Sequence, residues 1–516
     1  MTDKLIVTNK AALRAKYGAA GLRSVTTAVG KLVAADRRRG LTSRLIDLSS
    51  KAAMKAVKAR APAVTDALSP KQNKDAVDAL YRALQPAYLM LLGSVDVIPH
   101  QDLTNPLLAD DKEEDAKAWG DLPYACDAAY SRDIARFVGP TRVVGRLPDL
   151  TGARDPAHLL ALLAHAAAHR TRPLKDYARY FSISVRLWQH STAQSLESIF
   201  GNDDDLLIAP PATSARRASL ARLSHFINCH GGAADPQFYG EYRGKFPVAM
   251  STRQIGGRIG AGTVAAVECC YGAELYDSVA LALDVPICQS YLAQGAYGYL
   301  GSTTIAYGPA RGNGAADLIT QYFLLAVQQG ASLGRAALSA RQDYVRQAAE
   351  MDPIDLKTLA QFCLYGDPSI TTVERETPTT VPRGVPAATA ERHARAASRG
   401  QLHDTGAQLA KTKPTASKPV AAKPPAQVLQ SLRSIARSLG LPDTAAFTAY
   451  DVEGALPAMA ATRSLAGGKA AASCERYHVL IAAQPGRSKK QLGARVAVVA
   501  KEAGARVIGY RVYLQK

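Results

Sequence analysis

The sequence lacks any run of about 18 apolar residues, so no segment reads as a membrane-crossing helix. Its first residues, MTDKLIVTNKAALRAKYG, put Asp3 and Lys4 where a secretory leader would carry an apolar core, and they are not expected to act as a signal. Cysteine is sparse. The seven residues, at 126, 229, 269, 270, 288, 363 and 474, are odd in number and include no CxxC pair. That argues against a disulfide framework and a zinc site, and for reduced thiols in a cytoplasmic compartment. Acidic residues are also short, 44 Asp and Glu against 63 Lys and Arg, for a net charge of +19. No internal repeat is present.

What is there is ordinary globular material. Apolar residues make 47% and charged residues 21%, with 39 Gly and 28 Pro, which excludes collagen-like, mucin-like and wholly disordered chains. The 516 residues suit about three domains of about 150 residues each. The basic excess is uneven: from residue 376 onward there are 21 Lys and Arg against 8 Asp and Glu. A balance of this kind fits a nucleic-acid partner, an anionic surface or a basic tail.

Short apolar runs at 44–48, 88–92, 180–185, 226–229, 263–267 and 297–300 read as strands, bounded by Gly, Pro or Asp. Most do not alternate, as expected of strands buried on both faces. Helical stretches such as 155–170 and 314–329 lie between them. The alternation predicts an α/β fold with a largely parallel sheet. Residues 1–170 and 171–375 are expected to form two lobes of one unit. Residues 376–427 contain no Phe, Trp or Tyr and seven Pro, and read as an extended flexible linker. Residues 428–516 regain pattern as a small basic α/β unit: a helix from 428, a strand at 477–481, a helix from 488 and a strand at 506–513.

Two strand ends carry the chemistry. FINCHGG (226–232) delivers His230 and then two glycines; TVAAVECCYG (263–272) delivers Cys269 and Cys270 and then a glycine. Reactive groups collect at the carboxyl ends of parallel strands, so an imidazole and a thiol could face one crevice. A thiol is a good nucleophile, an imidazole can deprotonate it and later protonate a leaving amine, and a glycine lets a backbone N–H approach an oxyanion. These blocks resemble those of the caspase-like cysteine peptidases, most closely the gingipain-like branch. The likeness extends in order through YLMLLGSVDVIP (88–99), DLPY (121–124), VGRLP (144–148), QGAYGYLGSTT (294–304) and LYGDPS (364–369), and so covers roughly residues 40–375.

The resemblance implies a two-lobed, three-layer α/β/α unit that hydrolyses peptide bonds with a thiol. His230 would be the general acid and base and Cys270 the nucleophile, with Cys269 the second candidate. The N–H groups of Gly231 and Cys270 would form the oxyanion site. Glu268, two residues before the nucleophile, would line the primary pocket and favour Arg or Lys, through a carboxylate paired with a cation in a desolvated site. Arg311, in the loop YGPARG (307–312), is a further candidate for the substrate cleft. The expected partner is a protein or peptide substrate.

No cofactor is expected. Structural calcium is left open because gingipain-like enzymes often bind it, yet the acidic runs Asp110–Asp115 and Asp203–Asp205 lack the spacing of a calcium loop. GGRIGAG (256–262) precedes a strand and is not a phosphate loop, and His225 reads as structural. Arg395, Arg399, Lys411, Lys413, Lys418 and Lys423 would be candidate self-processing sites if the linker is exposed. Two other readings stand beside the peptidase. One is a catalytically silent scaffold whose C-terminal unit binds a partner. The other makes that basic unit a nucleic-acid sensor, although it lacks aromatic-interleaved or Arg-rich motifs.

Overall fold

The computed structural model describes residues 2–108, 115–215, 217–374, 387–442, 445–454, 475–483 and 495–516, without the side chains of 387–393. Strands β1 (Lys4–Thr8), β2 (Ser43–Asp47) and β3 (Tyr88–Leu92) open the chain, followed by a hairpin of β4 (Gln101–Thr104) and β5 (Lys117–Gly120). Next come β6 (Val144–Leu147), β7 (Tyr180–Val185), β8 (Leu206–Ala209) and β9 (Ser224–Asn228). A small antiparallel sheet of β10 (His230–Gly231), β11 (Gln237–Tyr239) and β12 (Val248–Ser251) then leads to β13 (Val264–Val267), β14 (Gly298–Ser302), β15 (Tyr307–Pro309) and β16 (Phe362–Gly366). The last strands are β17 (Pro419–Val420), β18 (Thr448–Asp451), β19 (Arg476–Ala483), β20 (Arg495–Ala503) and β21 (Arg506–Gln515).

Ten strands join in one sheet, ordered β2-β1-β3-β6-β16-β14-β13-β9-β7-β8. Pairing is parallel everywhere except between β14 and β16. The sheet is therefore two parallel blocks running in opposite directions, each of five strands. Helices complete a three-layer α/β/α arrangement. Runs such as KLIVT of β1, YLMLL of β3 and YFSISV of β7 are buried at every position, which is why they show no alternation. Among the described residues no helix is long and apolar enough to cross a membrane.

The two halves of the chain meet at β6 and β16, where Arg146 and Tyr365 are register partners. Arg146 is fully buried and grips Asp121 with Nε at 2.9 Å and Nη2 at 2.6 Å, while Nη1 donates to the Gly93 and Ile98 carbonyls. His100 sits between Asp121, at 3.0 Å, and the Tyr365 hydroxyl, at 3.2 Å. Burial alone would raise the Asp121 carboxyl, but the Arg146 charge outweighs it and holds the group well below the ordinary carboxylate range. A second buried tie is Lys4, which pairs with Asp36 at 2.7 Å and Asp367 at 2.5 Å and fastens the first strand to the segment after β16.

Beyond residue 374 the structure departs from the sequence reading. The aromatic-free stretch carries a helix at Ala387–Thr412 rather than an extended linker. Gly406 lies against the Pro140 carbonyl, and Gln342 ties Pro140 and Leu402 together at 2.8 and 2.7 Å. Arg395 and Arg399 donate from this helix to the carbonyls of Gly40 and Gln85, and Lys418 pairs with Asp133 at 3.5 Å. The helix expected from 488 begins outside the described residues, and from Arg495 the chain is strand. The last sheet, ordered β15-β21-β20-β19-β18-β17, takes β15 from between β14 and β16, so the C-terminal region and the loop after β14 share one antiparallel sheet.

Replacing Arg146 with Met leaves Asp121 buried without its guanidinium, and should lower the unfolding free energy by about 3–5 kcal/mol in a urea titration. Because Asp121 is held low, its stabilising contribution is present above the ordinary carboxylate pKa and is lost as pH falls. Acid titration of the unmodified protein should therefore show this stability declining, and the Arg146→Met variant should lack that component.

Candidate active site

β9 and β13 are adjacent and parallel, with Ile227 opposite Val267, and the Glu268 N–H extends the ladder to the Ile227 carbonyl at 2.9 Å. Asn228 and Glu268 therefore leave the sheet side by side, followed by His230 and Cys270. Past the last ladder bond the contacts sort the side chains: Asn228 and Glu268 meet at the Lys516 ammonium, and Cys229 meets Cys269. The Cys269 sulfur accepts the Cys229 N–H at 3.3 Å, and Cys229 reaches back to the Ile183 carbonyl at 3.7 Å, so both thiols are core groups. Burial, then the neighbouring Cys229, pushes the Cys269 thiol well above its usual pKa.

The Cys270 sulfur accepts the Ala306 N–H at 3.2 Å and lies 3.5 Å from the Ala306 carbonyl. Gly231 is pressed onto the Cys270 backbone: an ideal Cβ at Gly231 would stand 1.9 Å from the Cys270 carbonyl oxygen. Only glycine fits there. His230 leaves 12% of its side chain exposed, with its Nε2 3.0 Å from Glu241 Oε2 and its ring against Trp188 and Phe246 at 4.7 and 5.1 Å. A carboxylate on one ring nitrogen fixes the ring's orientation. Glu241 follows β11, and nothing in its sequence neighbourhood marks it.

Glu268 is fully buried and does not stand alone. Asp317, on the helix Ala316–Gln328, lies beside it, and the Lys516 ammonium bonds both, at 2.5 Å to Asp317 and closely to Glu268. Asn228 Oδ1 accepts a third bond from Lys516 at 3.0 Å, and the Trp188 ring stands 5.1 Å from the ammonium. Burial, then the charge of Asp317, raises Glu268 well above the ordinary carboxylate value, with Lys516 pulling the other way. Glu268 Oε1 and Asp317 Oδ2 accept from no donor among the described residues. Sequence reasoning does not single out Asp317, Asn228, Trp188 or Lys516, because they come from four distant segments.

Arg311 is exposed in the loop after β15, where it lines a cleft with Leu318, Tyr510 and Arg511 whose lining does not include His230 or Cys270. His225 is buried between the Tyr291 hydroxyl and the Arg222 carbonyl, at 2.8 and 3.0 Å, as a structural group. Asp110 to Glu114 lie outside the described residues, while Asp115 is tied to Lys357 at 2.9 Å and to the Tyr271 hydroxyl at 2.7 Å. Among the described residues, His100, Asp121 and Cys363 bring ligand-type atoms within 4.8 Å of one another. The Arg146 guanidinium already supplies the positive charge there, so the donor set does not suit a metal ion.

No family model matches the chain, and no curated protein matches it. Among solved structures, one described as "Structure of Protease" is similar over 100% of this chain and 97% of that one, with 12% identity and a TM-score of 0.48. At that level the likeness adds nothing to the argument from geometry.

Gly231→Ala should displace the Cys270 backbone N–H while leaving the distant core intact. Any thiol-dependent hydrolysis should fall by about a hundredfold or more, with an unchanged circular dichroism spectrum.

Proposed function

We propose that this chain is a cysteine endopeptidase that cleaves after Lys or Arg, with His230 and Cys270 as the catalytic pair. The observation that carries the reading is the contact of Gly231 with the Cys270 backbone at the carboxyl ends of β9 and β13. It sets the strand end that bears His230 against the backbone of Cys270.

In this mechanism His230 takes the Cys270 proton and the sulfur attacks the peptide carbonyl carbon. The N–H groups of Gly231 and Cys270 stabilise the resulting oxyanion. The imidazolium, supported by Glu241, protonates the leaving amine. Water, deprotonated by the same imidazole, then hydrolyses the thioester and regenerates the thiol. Both thiols are fully buried, and what favours Cys270 is its place beside the Ala306 backbone and Gly231, while the Cys269 sulfur is taken up by the Cys229 N–H. The buried carboxylates of Glu268 and Asp317 support a cationic side chain at the primary position.

Fluorogenic peptides ending in Lys or Arg should be turned over at least about a hundredfold more efficiently than the same peptides ending in Asp. Cys270→Ser should abolish turnover and Cys269→Ser should retain it. Equal turnover of the basic and acidic peptides would reject the specificity, and an active Cys270→Ser protein would reject the nucleophile.

A further inference from the structure

The pocket built by Asn228, Glu268, Asp317 and Trp188 already holds a ligand, and that ligand belongs to the chain. β21 lies antiparallel on β15, with Tyr307 opposite Gln515, Gly308 opposite Leu514 and Pro309 opposite Tyr513. The ladder continues at both ends: Ala310 N–H donates to the Val512 carbonyl at 2.8 Å, and Lys516 N–H to the Ala306 carbonyl at 3.0 Å. Ala306 is the residue whose backbone also touches the Cys270 sulfur. The Lys516 carbonyl accepts from the Cys270 N–H at 3.3 Å, the donor assigned to the oxyanion site.

The side chain makes the match specific. A lysine is buried only when its charge is met, and Lys516 is fully buried against two carboxylates, an amide oxygen and an indole ring. Its aliphatic stem passes over Gly308, where an ideal Cβ would lie 2.0 Å from the Lys516 Cε. The glycine opens that wall of the pocket. Backbone pairing along an edge strand combined with one anchored side chain is how an extended peptide docks on a sheet edge.

We propose that residues 506–516 are the resident ligand of the catalytic cleft: β21 occupies the substrate strand position on β15, and Lys516 fills the primary pocket. The active centre is thus closed to other peptides until this segment is displaced. Calling the cleft catalytic rests on the peptidase reading; the occupancy itself does not. A tethered segment acts at an effective concentration in the millimolar range, so it outcompetes free peptides of moderate affinity. The external ligand of the same site is an extended peptide with Lys at the pocket position.

The test compares the full chain with its Lys516→Ala and Val279→Ser variants, Val279 being an exposed residue outside β21 and the pocket. Alkylation of Cys270 by a thiol-reactive peptide probe ending in Lys, followed by intact mass, should accelerate about tenfold or more in Lys516→Ala and stay at the unmodified rate in Val279→Ser. A second arm needs no chemistry. The synthetic peptide Arg-Val-Tyr-Leu-Gln-Lys is titrated calorimetrically into Cys270→Ala protein with and without Lys516→Ala. It should bind only where Lys516 has been removed. If no variant is labelled yet the peptide binds in that pattern, the peptidase reading fails and the resident ligand stands. If the peptide binds both forms equally, or neither, the resident ligand is overturned.

Discussion

Everything at the candidate site depends on one close approach, the backbone of Gly231 against that of Cys270. It requires that residue 231 have no side chain, that β9 and β13 be parallel neighbours, and that their register place Ile227 beside Val267. Given that register, the contacts sort the rest. Asn228 and Glu268 meet at the Lys516 ammonium, Cys229 and Cys269 meet each other, and the Cys270 thiol, equally buried, meets Ala306. A slip of one residue would exchange the neighbours of the two thiols and take Glu268 away from Lys516.

The sheet strands are readable from sequence because buried parallel strands are short apolar runs with clear ends. The runs at 88–92 and 180–185 match β3 and β7, and the two His and Cys strand ends do fall together. β1 escapes that reading because KLIVT carries Lys4, whose charge disguises a strand that is fully buried through pairing with Asp36 and Asp367. The stretch 376–427 misleads for a related reason. A lack of aromatics argues against a core of its own, but Ala, Arg and Gln are good helix formers, and an amphipathic helix can borrow a neighbour's surface. The pocket residues Asp317, Trp188 and Lys516 are out of reach of sequence, since nothing local links a helix start, a turn and a strand end. They become neighbours only through the order of strands in the sheets.

Several of the lysines are internal. Lys4, Lys74, Lys357 and Lys516 are buried, each against at least one carboxylate: Asp36 and Asp367, Asp78, Asp115, and Glu268 with Asp317. These ammonium groups hold separate segments together and contribute little to the field at the surface. The four lysines face six carboxylates, so these internal ties do not account for the net basic charge, which rests on other residues.

β15 is only three residues long, and its edge is completed by β21. An unpaired strand edge inside a cleft leaves backbone donors and acceptors without partners and invites any extended chain that can reach it. A slot of this kind is seldom vacant. One strand leaves as another arrives, and the pace at which the cleft changes occupants is then set by how readily a six-stranded sheet parts and rejoins at the seam between β15 and β21, a mechanical property of the C-terminal region more than a chemical property of the thiol.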